Sequence, residues 1–342
     1  MEETLRLNET GVSSKYNDTD LPIDMYFNQG HMIKIITYSI LMVISATGNI
    51  AVLIMTIIRN QRSKSRINTL VMHLAIADLF VTFLMMPLEI GWSITVSWEA
   101  GDAMCRIMSF FRIFGLYLSS FVIVCISIDR YYAVMRPLQI LGVHRREKIT
   151  LILAWVGSIL CSFPQILVFH LETHPYYIHF TQCVTFNTYS SPQYERFYFF
   201  FGMTTMFWFP LCVIFYTYTS IFMEICRRSN EDRIRRSSIS FLSRARVRTL
   251  KMTITIITVF IICWTPYYVM SVWYWIDRLS AREVDQRIQK ALFLFACTNS
   301  CMNPIIYGIF NIRQRNKAPK RAATIETKIT PLSLSIKLLD LR

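Results

Sequence analysis

The chain has 342 residues, of which 53% are hydrophobic, 14% aromatic and only 17% charged. Soluble domains carry about a quarter charged residues, so this composition argues against a soluble protein. The formal net charge of +14 could suit nucleic acid, but the basic residues are concentrated in short connections between apolar stretches, which argues against that partner.

Seven stretches are long enough to cross a bilayer, because a hydrocarbon layer of about 30 Å needs about 20 apolar residues per helix. Residues 1–30 form an acidic, polar segment with no apolar run, so no cleavable signal peptide is expected there. We therefore predict an all-α membrane protein, a seven-transmembrane helix bundle, with an outer tail at 1–32, the bundle at 33–310 and a cytoplasmic helix and tail at 311–342. The predicted spans are 33–58, 68–96, 104–135, 148–169, 196–226, 249–275 and 288–310.

The positions of the basic residues predict how the chain is oriented. They cluster at Arg59–Arg66, Arg136–Lys148 and Arg227–Lys251, and again beyond Phe310. Because cytosolic loops are enriched in Lys and Arg, we expect a multi-pass plasma-membrane protein with its amino terminus outside and its carboxyl terminus in the cytoplasm. The basic stretch Asn311–Lys320 is predicted to lie on membrane lipids as a short amphipathic eighth helix.

Two covalent features are expected on the outer side. Of the nine cysteines, only Cys105 and Cys183 fall at outer ends or loops, where a disulfide can persist, so we predict a bond between them. The sequons that begin at Asn8 and Asn17 fall in the predicted outer tail and predict glycosylation there.

Charged side chains inside the predicted helices mark candidate sites, since each costs roughly 2.5–3.5 kcal/mol to insert near the bilayer centre. Arg112 and Arg130 of the third span are about 27 Å apart along a helix, so they belong to opposite halves of the membrane. Asp78 lies near the middle of the second span, and Glu89 lies about three turns outward on the same face. Such carboxylates either serve function or are structural groups bonded to neighbouring helices.

The sixth and seventh spans carry polar and aromatic residues at helical spacing. In the sixth, aromatic residues and one serine form a stripe beside Pro266, a site for a hinge, although such stripes are more often packing. Its members are Trp264, Tyr267, Tyr268, Ser271 and Tyr274. In the seventh span, Asn299, Asn303 and Tyr307 share one face.

One motif per span, in a fixed order, identifies the family. The motifs are Gly48-Asn49, Leu74 to Asp78, Asp129-Arg130-Tyr131, Trp155, Pro210 with Tyr218, Cys263 to Pro266, and Asn303 to Tyr307. Together they resemble a rhodopsin-like (class A) G-protein-coupled receptor over about residues 32–320. The run Cys263–Val269, with Glu89, Trp92, Arg112 and Tyr274, is similar to the gonadotropin-releasing-hormone receptor superfamily, most of all to the insect adipokinetic hormone receptors and next to the corazonin receptors.

The resemblance implies a function and a set of sites. It implies a receptor for a short neuropeptide hormone blocked at both ends. Such a receptor activates heterotrimeric G proteins, which signal through calcium and/or cyclic AMP to mobilise energy stores, and arrestin is a further expected partner. Gln286 stands where mammalian members use an acid for a ligand arginine, which argues against an arginine-containing ligand. The implied ligand-binding residues are Glu89, Trp92, Arg112, Tyr267, Tyr268, Ser271, Tyr274 and Phe293.

Two further sites are implied below the ligand. The residues implied in activation and G-protein coupling are Asp129, Arg130, Tyr131, Tyr218, Trp264, Pro266, Asn303, Pro304 and Tyr307. A sodium ion is implied at Asp78, Ser119, Asn299 and Asn303, with an ion-free water network as the alternative; no other cofactor is expected.

Arg112 of the ligand-binding residues has two alternative roles. It either contacts the ligand directly or is partly structural through a pair with Glu89.

Other functions fit the chain less well. A receptor for corazonin or another gonadotropin-releasing-hormone-like peptide is the nearest alternative. A membrane transporter is an alternative of a different class, but the two halves of the chain show no matching repeats. A light receptor would need a lysine in the middle of the seventh span, and Leu292–Gly308 has none. No nucleophile and base at catalytic spacing are evident, so no enzyme is expected.

Overall fold

A computed structural model describes residues 25–63, 65–136, 143–234, 241–277, 280 and 286–315. The predicted glycosylation sites Asn8 and Asn17 lie outside the described residues, as does most of the predicted cytoplasmic tail. Those assignments therefore stay predictions.

The described chain is helical apart from one short hairpin. Two π-helical segments, Val81–Met85 and Thr204–Trp208, interrupt the second and fifth spans. The α-helices are α1 (Gln29–Arg62), α2 (Arg66–Phe80), α3 (Met86–Thr95), α4 (Gly101–Met135), α5 (Val143–Ser162), α6 (Pro164–Val168), α7 (Pro192–Met203), α8 (Phe209–Ile234), α9 (Phe241–Ile276), α10 (Gln286–Cys297) and α11 (Asn299–Arg315).

These elements form seven helices long and apolar enough to cross a membrane. Their ends lie within a few residues of the predicted spans, so the predicted fold class is confirmed. They are Gln29–Arg62, Arg66–Thr95, Gly101–Met135, His144–Val168, Pro192–Arg228, Val247–Ile276 and Arg287–Phe310.

Local sequence explains several helix ends. The Asn28 side chain caps α1 by accepting hydrogen bonds from the backbone N–H groups of Gly30 and His31, at 2.8 and 3.3 Å. Pro164 and Pro192 lie in the first turns of α6 and α7, where a missing N–H group loses no helical hydrogen bond.

The third span is the centre of the bundle. In the most apolar 18 residues of this span, 72% of the residues are buried inside the bundle. The corresponding fraction for the first span is 22%. It packs against the second, fourth, fifth and sixth spans, so a residue on α4 can contact most of the bundle. This position suits a helix that carries the outer cation Arg112 and the inner pair Asp129-Arg130.

Two glycines allow helices to approach closely. A Cβ atom at Gly48 would lie 2.7 Å from Pro304 Cγ. The first and seventh spans are therefore in contact at Gly48, and a larger residue there would push Pro304 out of its position. A Cβ atom at Gly115 would lie 2.9 Å from both the backbone nitrogen and Cγ2 of Val81. Gly115 therefore lets the third span rest against the π-helical segment of the second.

A β-hairpin covers part of the outer end of the bundle. Strand β1 (His170–Thr173) pairs antiparallel with β2 (Thr181–Val184), placing Leu171 opposite Cys183. The predicted disulfide between Cys105 and Cys183 is present, with the two Cα atoms 5.6 Å apart. The hairpin is also held by Asp102, whose Oδ1 accepts a hydrogen bond from the Leu171 N–H at 2.8 Å.

The predicted amphipathic helix at the inner surface is described only in part. Helix α11 continues to Arg315, and residues beyond it lie outside the described part of the chain. A separate eighth helix over Asn311–Lys320, and the domain boundary at 310, therefore stay predictions.

We expect Gly115→Ala to lower the stability of the folded protein, because its Cβ meets the Val81 backbone, which cannot rotate away. Gly91→Ala is the matched control: its Cβ would meet nothing within 4 Å, and alanine favours a helix by roughly 0.5–1 kcal/mol. The measurement is the melting temperature of each variant in detergent. Equal melting temperatures for the two variants would contradict the close contact.

Candidate functional site

A buried carboxylate with two cations lies in the outer half of the bundle. Glu89 of α3 has only 2% of its side chain exposed. Its Oε1 lies 2.6 Å from Arg112 Nη2, and its Oε2 lies 2.6 Å from Lys34 Nζ. Removing one partner from a buried ion pair typically costs about 3–5 kcal/mol, so these contacts constrain the outer half strongly. We call Lys34, Glu89 and Arg112 the outer ion triad.

Lys34 was missed in the sequence analysis. It lies in the first outer turns of a span that is otherwise apolar, next to the predicted start at residue 33. The available signal was a lone lysine inside a membrane helix, which needs a partner as much as Arg112 does. The predicted pairing of Glu89 with Arg112 is present in the structure, and Lys34 adds a second cation.

Arg112 lies between aromatic rings. Its guanidinium carbon is 5.9 Å from the Trp92 ring centroid and 5.5 Å from that of Phe293, both within the range of cation–π attraction. Its Nε is buried and has no hydrogen-bond partner among the described residues. The side chain as a whole is 28% exposed, so Arg112 is less enclosed than Glu89. Arg112 thus keeps donor capacity beyond its contact with Glu89.

Trp92 is fixed by the hairpin. Its indole N–H donates a hydrogen bond to Gln182 Oε1 at 2.9 Å, and Gln182 in turn donates to the Val96 carbonyl at 2.6 Å. The Trp92 ring also meets Trp98 edge to face, with centroids 5.1 Å apart. The predicted ligand-contacting ring is therefore held in place beside Arg112.

The aromatic stripe of the sixth span divides between two environments. Tyr267 lies toward the triad side, with its ring 5.5 Å from that of Phe293. Tyr268 instead stacks on Phe207 of the fifth span, with centroids 4.6 Å apart. Tyr268 is therefore a packing residue at the floor of the outer half.

Ser271 and Tyr274 lie above these rings. The Ser271 hydroxyl donates to the Tyr267 carbonyl of its own helix at 2.8 Å, which satisfies its donor without a ligand. Tyr274 is half-buried, and its ring lies 6.3 Å from Trp275. The structure thus brings Glu89, Trp92, Arg112, Tyr267 and Phe293 together, while Tyr268, Ser271 and Tyr274 lie at the edges of that group.

A polar cluster surrounds Asp78 at mid-depth. Asp78 is fully buried; its Oδ1 accepts a hydrogen bond from Ser119 at 3.1 Å, and its Oδ2 accepts one from the Asn303 amide at 2.8 Å. Asn49 joins the cluster by donating to the Ser300 carbonyl at 3.0 Å. The third and seventh spans therefore meet the second at this carboxylate, and the first span joins through the seventh.

These residues fit a sodium ion. The amide oxygens of Asn299 and Asn303 are buried without a hydrogen-bond partner among the described residues. Together with the Asp78 carboxylate and the Ser119 hydroxyl they form an all-oxygen donor set, which suits a hard cation. When bound, the ion would supply positive charge against Asp78. Ser119 and Asn303 hold the carboxylate in place by the hydrogen bonds already described.

The inner end of the third span carries a second shared carboxylate. Asp129 is paired with Arg130, as expected from the sequence, and its Oδ1 also lies 2.9 Å from Nη1 of Arg66 at the start of α2. Arg66 was counted in the sequence analysis only as a loop charge. The available signal was a basic residue at the first position of the second span, at the end of the bundle where the Asp-Arg pair of the third span was expected.

The other residues implied in activation are distributed along the inner half. The Tyr218 hydroxyl donates to Thr253 at 2.9 Å, and the Tyr307 hydroxyl accepts a hydrogen bond from Arg59 at 3.2 Å. The Tyr131 ring lies 6.1 Å from that of Tyr216. These contacts tie the fifth span to the sixth and third, and the seventh span to the first.

Trp264 links the outer and inner halves. It is almost fully buried, and its ring lies 5.7 Å from that of Tyr268 above and 6.5 Å from that of Phe260 below. Pro266 interrupts the hydrogen bonding of the same helix, and Pro304 does so in α11. Both prolines are sites where a helix can bend.

Comparison with known proteins places the chain in a family. Residues 48–307 match the family described as "7 transmembrane receptor (rhodopsin family)". The gonadotropin-releasing hormone II receptor of Clarias gariepinus is 37% identical, covering 79% of this chain and 73% of the relative. The gonadotropin-releasing hormone receptor of Rattus norvegicus is 37% identical over 72% of this chain and 78% of its own length, and that of Sus scrofa is 35% identical over 74% and 80%.

The chain therefore belongs to the rhodopsin family of seven-transmembrane receptors, the G-protein-coupled receptors, and is a multi-pass protein of the plasma membrane. Within that family it is related to the gonadotropin-releasing hormone receptors, which confirms the superfamily predicted from the motifs. This family consists of receptors rather than enzymes, as the sequence analysis predicted, and the match does not favour a transporter.

We expect sodium to stabilise the folded receptor through the Asp78 cluster, because a ligand that binds only the folded state raises its stability. The melting temperature in detergent should be about 2–4 °C higher in sodium chloride than in choline chloride of equal ionic strength. Asp78→Asn should remove this difference. Ser158→Ala, a buried hydroxyl bonded only within its own helix in the described structure, should keep it. Equal melting of the native receptor in both salts would favour the water network.

Proposed function

We propose that this receptor binds a short peptide hormone of the adipokinetic hormone type, blocked at both ends, and activates a heterotrimeric G protein. The observation that carries the proposal is Arg112, a cation with unused donor capacity between the rings of Trp92 and Phe293. The relatives are receptors for a peptide hormone by their names, gonadotropin-releasing hormone receptors.

The outer group of residues suits such a ligand chemically. A peptide without free termini offers carbonyl oxygens and side-chain rings rather than full charges. The planar guanidinium of Arg112 donates several hydrogen bonds to carbonyl oxygens. Trp92, Tyr267 and Phe293 offer ring faces and edges for aromatic side chains. A terminal lactam or an internal amide of the peptide would be the partner of Arg112.

We infer that the hairpin end of the bundle faces outside. The disulfide between Cys105 and Cys183 belongs to an oxidising compartment. The opposite end carries the described basic residues Arg59, Arg62, Arg66, Arg227 and Arg228, as expected for the cytosolic side. The peptide would therefore enter at the hairpin, and Asp129-Arg130 would face the G protein.

Activation requires that the ligand bind an open state better than the closed one. The pair of Arg130 with Asp129 supports the interpretation that the inner end is in a closed state. An outward tilt of the sixth span at Pro266 would release Arg130 and open a cleft for the G protein. Moving the population from 1:99 to 99:1 needs roughly 5.5 kcal/mol of preference for the open state.

The proposal is tested in reporter cells that express the receptor and receive adipokinetic, corazonin-type or gonadotropin-releasing peptides. We expect an adipokinetic peptide to raise calcium or cyclic AMP at the lowest concentration, because its blocked, uncharged ends suit Arg112 and the surrounding rings. Vector-transfected cells are the control. A response to a corazonin peptide alone would overturn the ligand assignment, and a response to no peptide would overturn the proposed ligand class.

We expect Arg66→Gln to lower basal signalling and weaken agonist potency by about threefold to tenfold. In the closed state Asp129 holds both Arg66 and Arg130; when Arg130 leaves, Arg66 keeps the carboxylate neutralised. Without Arg66, opening would leave Asp129 unpaired and therefore cost more. Basal and agonist-stimulated second messenger are measured at equal surface expression.

The matched control is Arg62→Gln, which removes an exposed charge from the same inner region. It should leave both basal signalling and agonist potency near the native values. Raised basal signalling in Arg66→Gln would show that Arg66 instead holds the receptor closed, which would contradict this account.

A further inference from the structure

The outer ion triad contains more positive than negative charge. Glu89, the only acid of the triad, is shared between Lys34 of the first span and Arg112 of the third. The two cations contact different oxygens of the carboxylate, each at 2.6 Å. Lys34 and Arg112 are 32% and 28% exposed, whereas Glu89 is 2% exposed. The carboxylate is thus enclosed, and both cations are more exposed than the acid they share.

This arrangement changes what ligand binding demands of Arg112. If Glu89 had Arg112 as its sole partner, a ligand that drew the guanidinium away would leave a buried carboxylate without a counter-charge, which is strongly unfavourable. Lys34 removes that obstacle because it stays on Oε2 when Oε1 is vacated. A flexible ammonium with three donors can also shift to cover both oxygens.

The surroundings of Lys34 suit a residue that stays in place. Its ammonium lies 6.0 Å from the ring centroid of Tyr38, one helical turn further along the same helix and fully buried. Arg112, in contrast, has a buried Nε without a partner among the described residues. Both cations are therefore placed at the carboxylate and beside rings, and Arg112 keeps one donor that no described residue uses.

We propose that Lys34 is a specificity-determining residue of the peptide site: it keeps Glu89 neutralised and so frees Arg112 to bind a carbonyl or carboxylate oxygen of the ligand. This inference rests on the proposed function. Lys34 acts through Glu89 and Arg112 and is a positioning residue rather than a ligand contact. The single excess positive charge of the triad also favours a neutral or acidic ligand group at this level over a cationic one.

The test is a set of double-mutant cycles at Lys34, measured as peptide potency with the agonist that activates the native receptor. Lys34→Met keeps most of the side-chain length and removes the charge. In the native background it should raise the half-maximal concentration tenfold or more. In a Glu89→Gln background the same change should cost less than threefold, because the carboxylate that needed neutralising is gone.

An Arg112→Ala background gives an independent second cycle. Arg112→Ala should itself weaken potency at least tenfold, and adding Lys34→Met should then cost less than threefold, because no guanidinium remains to be released. Lys34→Arg is the matched control and should stay within threefold of native. Surface amounts, followed by an amino-terminal tag, and melting temperatures in detergent separate potency from folding in every variant.

Two results would overturn the inference. A similar loss for Lys34→Met in all three backgrounds would mean that Lys34 contacts the ligand directly. No loss in the native background would mean that Lys34 only fills space. These outcomes differ from failure of the proposed function, in which no panel peptide activates the native receptor. If the native receptor responds to another panel peptide, the cycles are read with that peptide.

Discussion

The architecture of this receptor depends on the cost of burying a carboxylate in a helix bundle. Three acids lie at three depths, and each is compensated in a different way. Glu89 has two cations, Asp78 has hydrogen-bond donors from the third and seventh spans, and Asp129 has two guanidiniums. Because these three acids hold groups from other helices, they constrain the relative positions of the spans at three levels. The third span supplies a partner at every level, through Arg112, Ser119 and Arg130.

Shared partners also make these sites suited to switching. A carboxylate with one partner resists any movement that separates the pair, whereas a carboxylate with two can release one at lower cost. Glu89 near the outer surface and Asp129 near the inner surface both have this form. At each end of the third span, one carboxylate is thus shared between two cations, although the outer end is proposed to bind the peptide and the inner end the G protein. Between them, Trp264 and Tyr268 of the sixth span pack against each other, and Tyr268 stacks on Phe207 of the fifth span.

The sequence was sufficient for the fold and for part of the site. Long apolar stretches leave few structures possible in a bilayer, which is why the seven spans were predicted within a few residues of their ends. The bond between Cys105 and Cys183 followed from position alone, and the pair of Glu89 with Arg112 was one of two alternatives for that arginine. The partners Lys34 and Arg66 were not predicted, because packing between helices decides which face of the first span turns toward the second, and which face of the second turns toward the third. Helical spacing placed Tyr267 and Tyr268 in one stripe. In the structure, however, Tyr267 faces the seventh span and Tyr268 faces the fifth.

The hairpin and its disulfide set an order of events during synthesis. Cys105 and Cys183 are 78 residues apart, and the whole fourth span lies between them. The thiol at 183 becomes available only after the first four spans have been made, while the last three are still to be inserted. The bond can therefore form before the sixth and seventh spans are made. In that order of synthesis, the last helices pack against a third span and a hairpin that are already joined covalently beside Trp92.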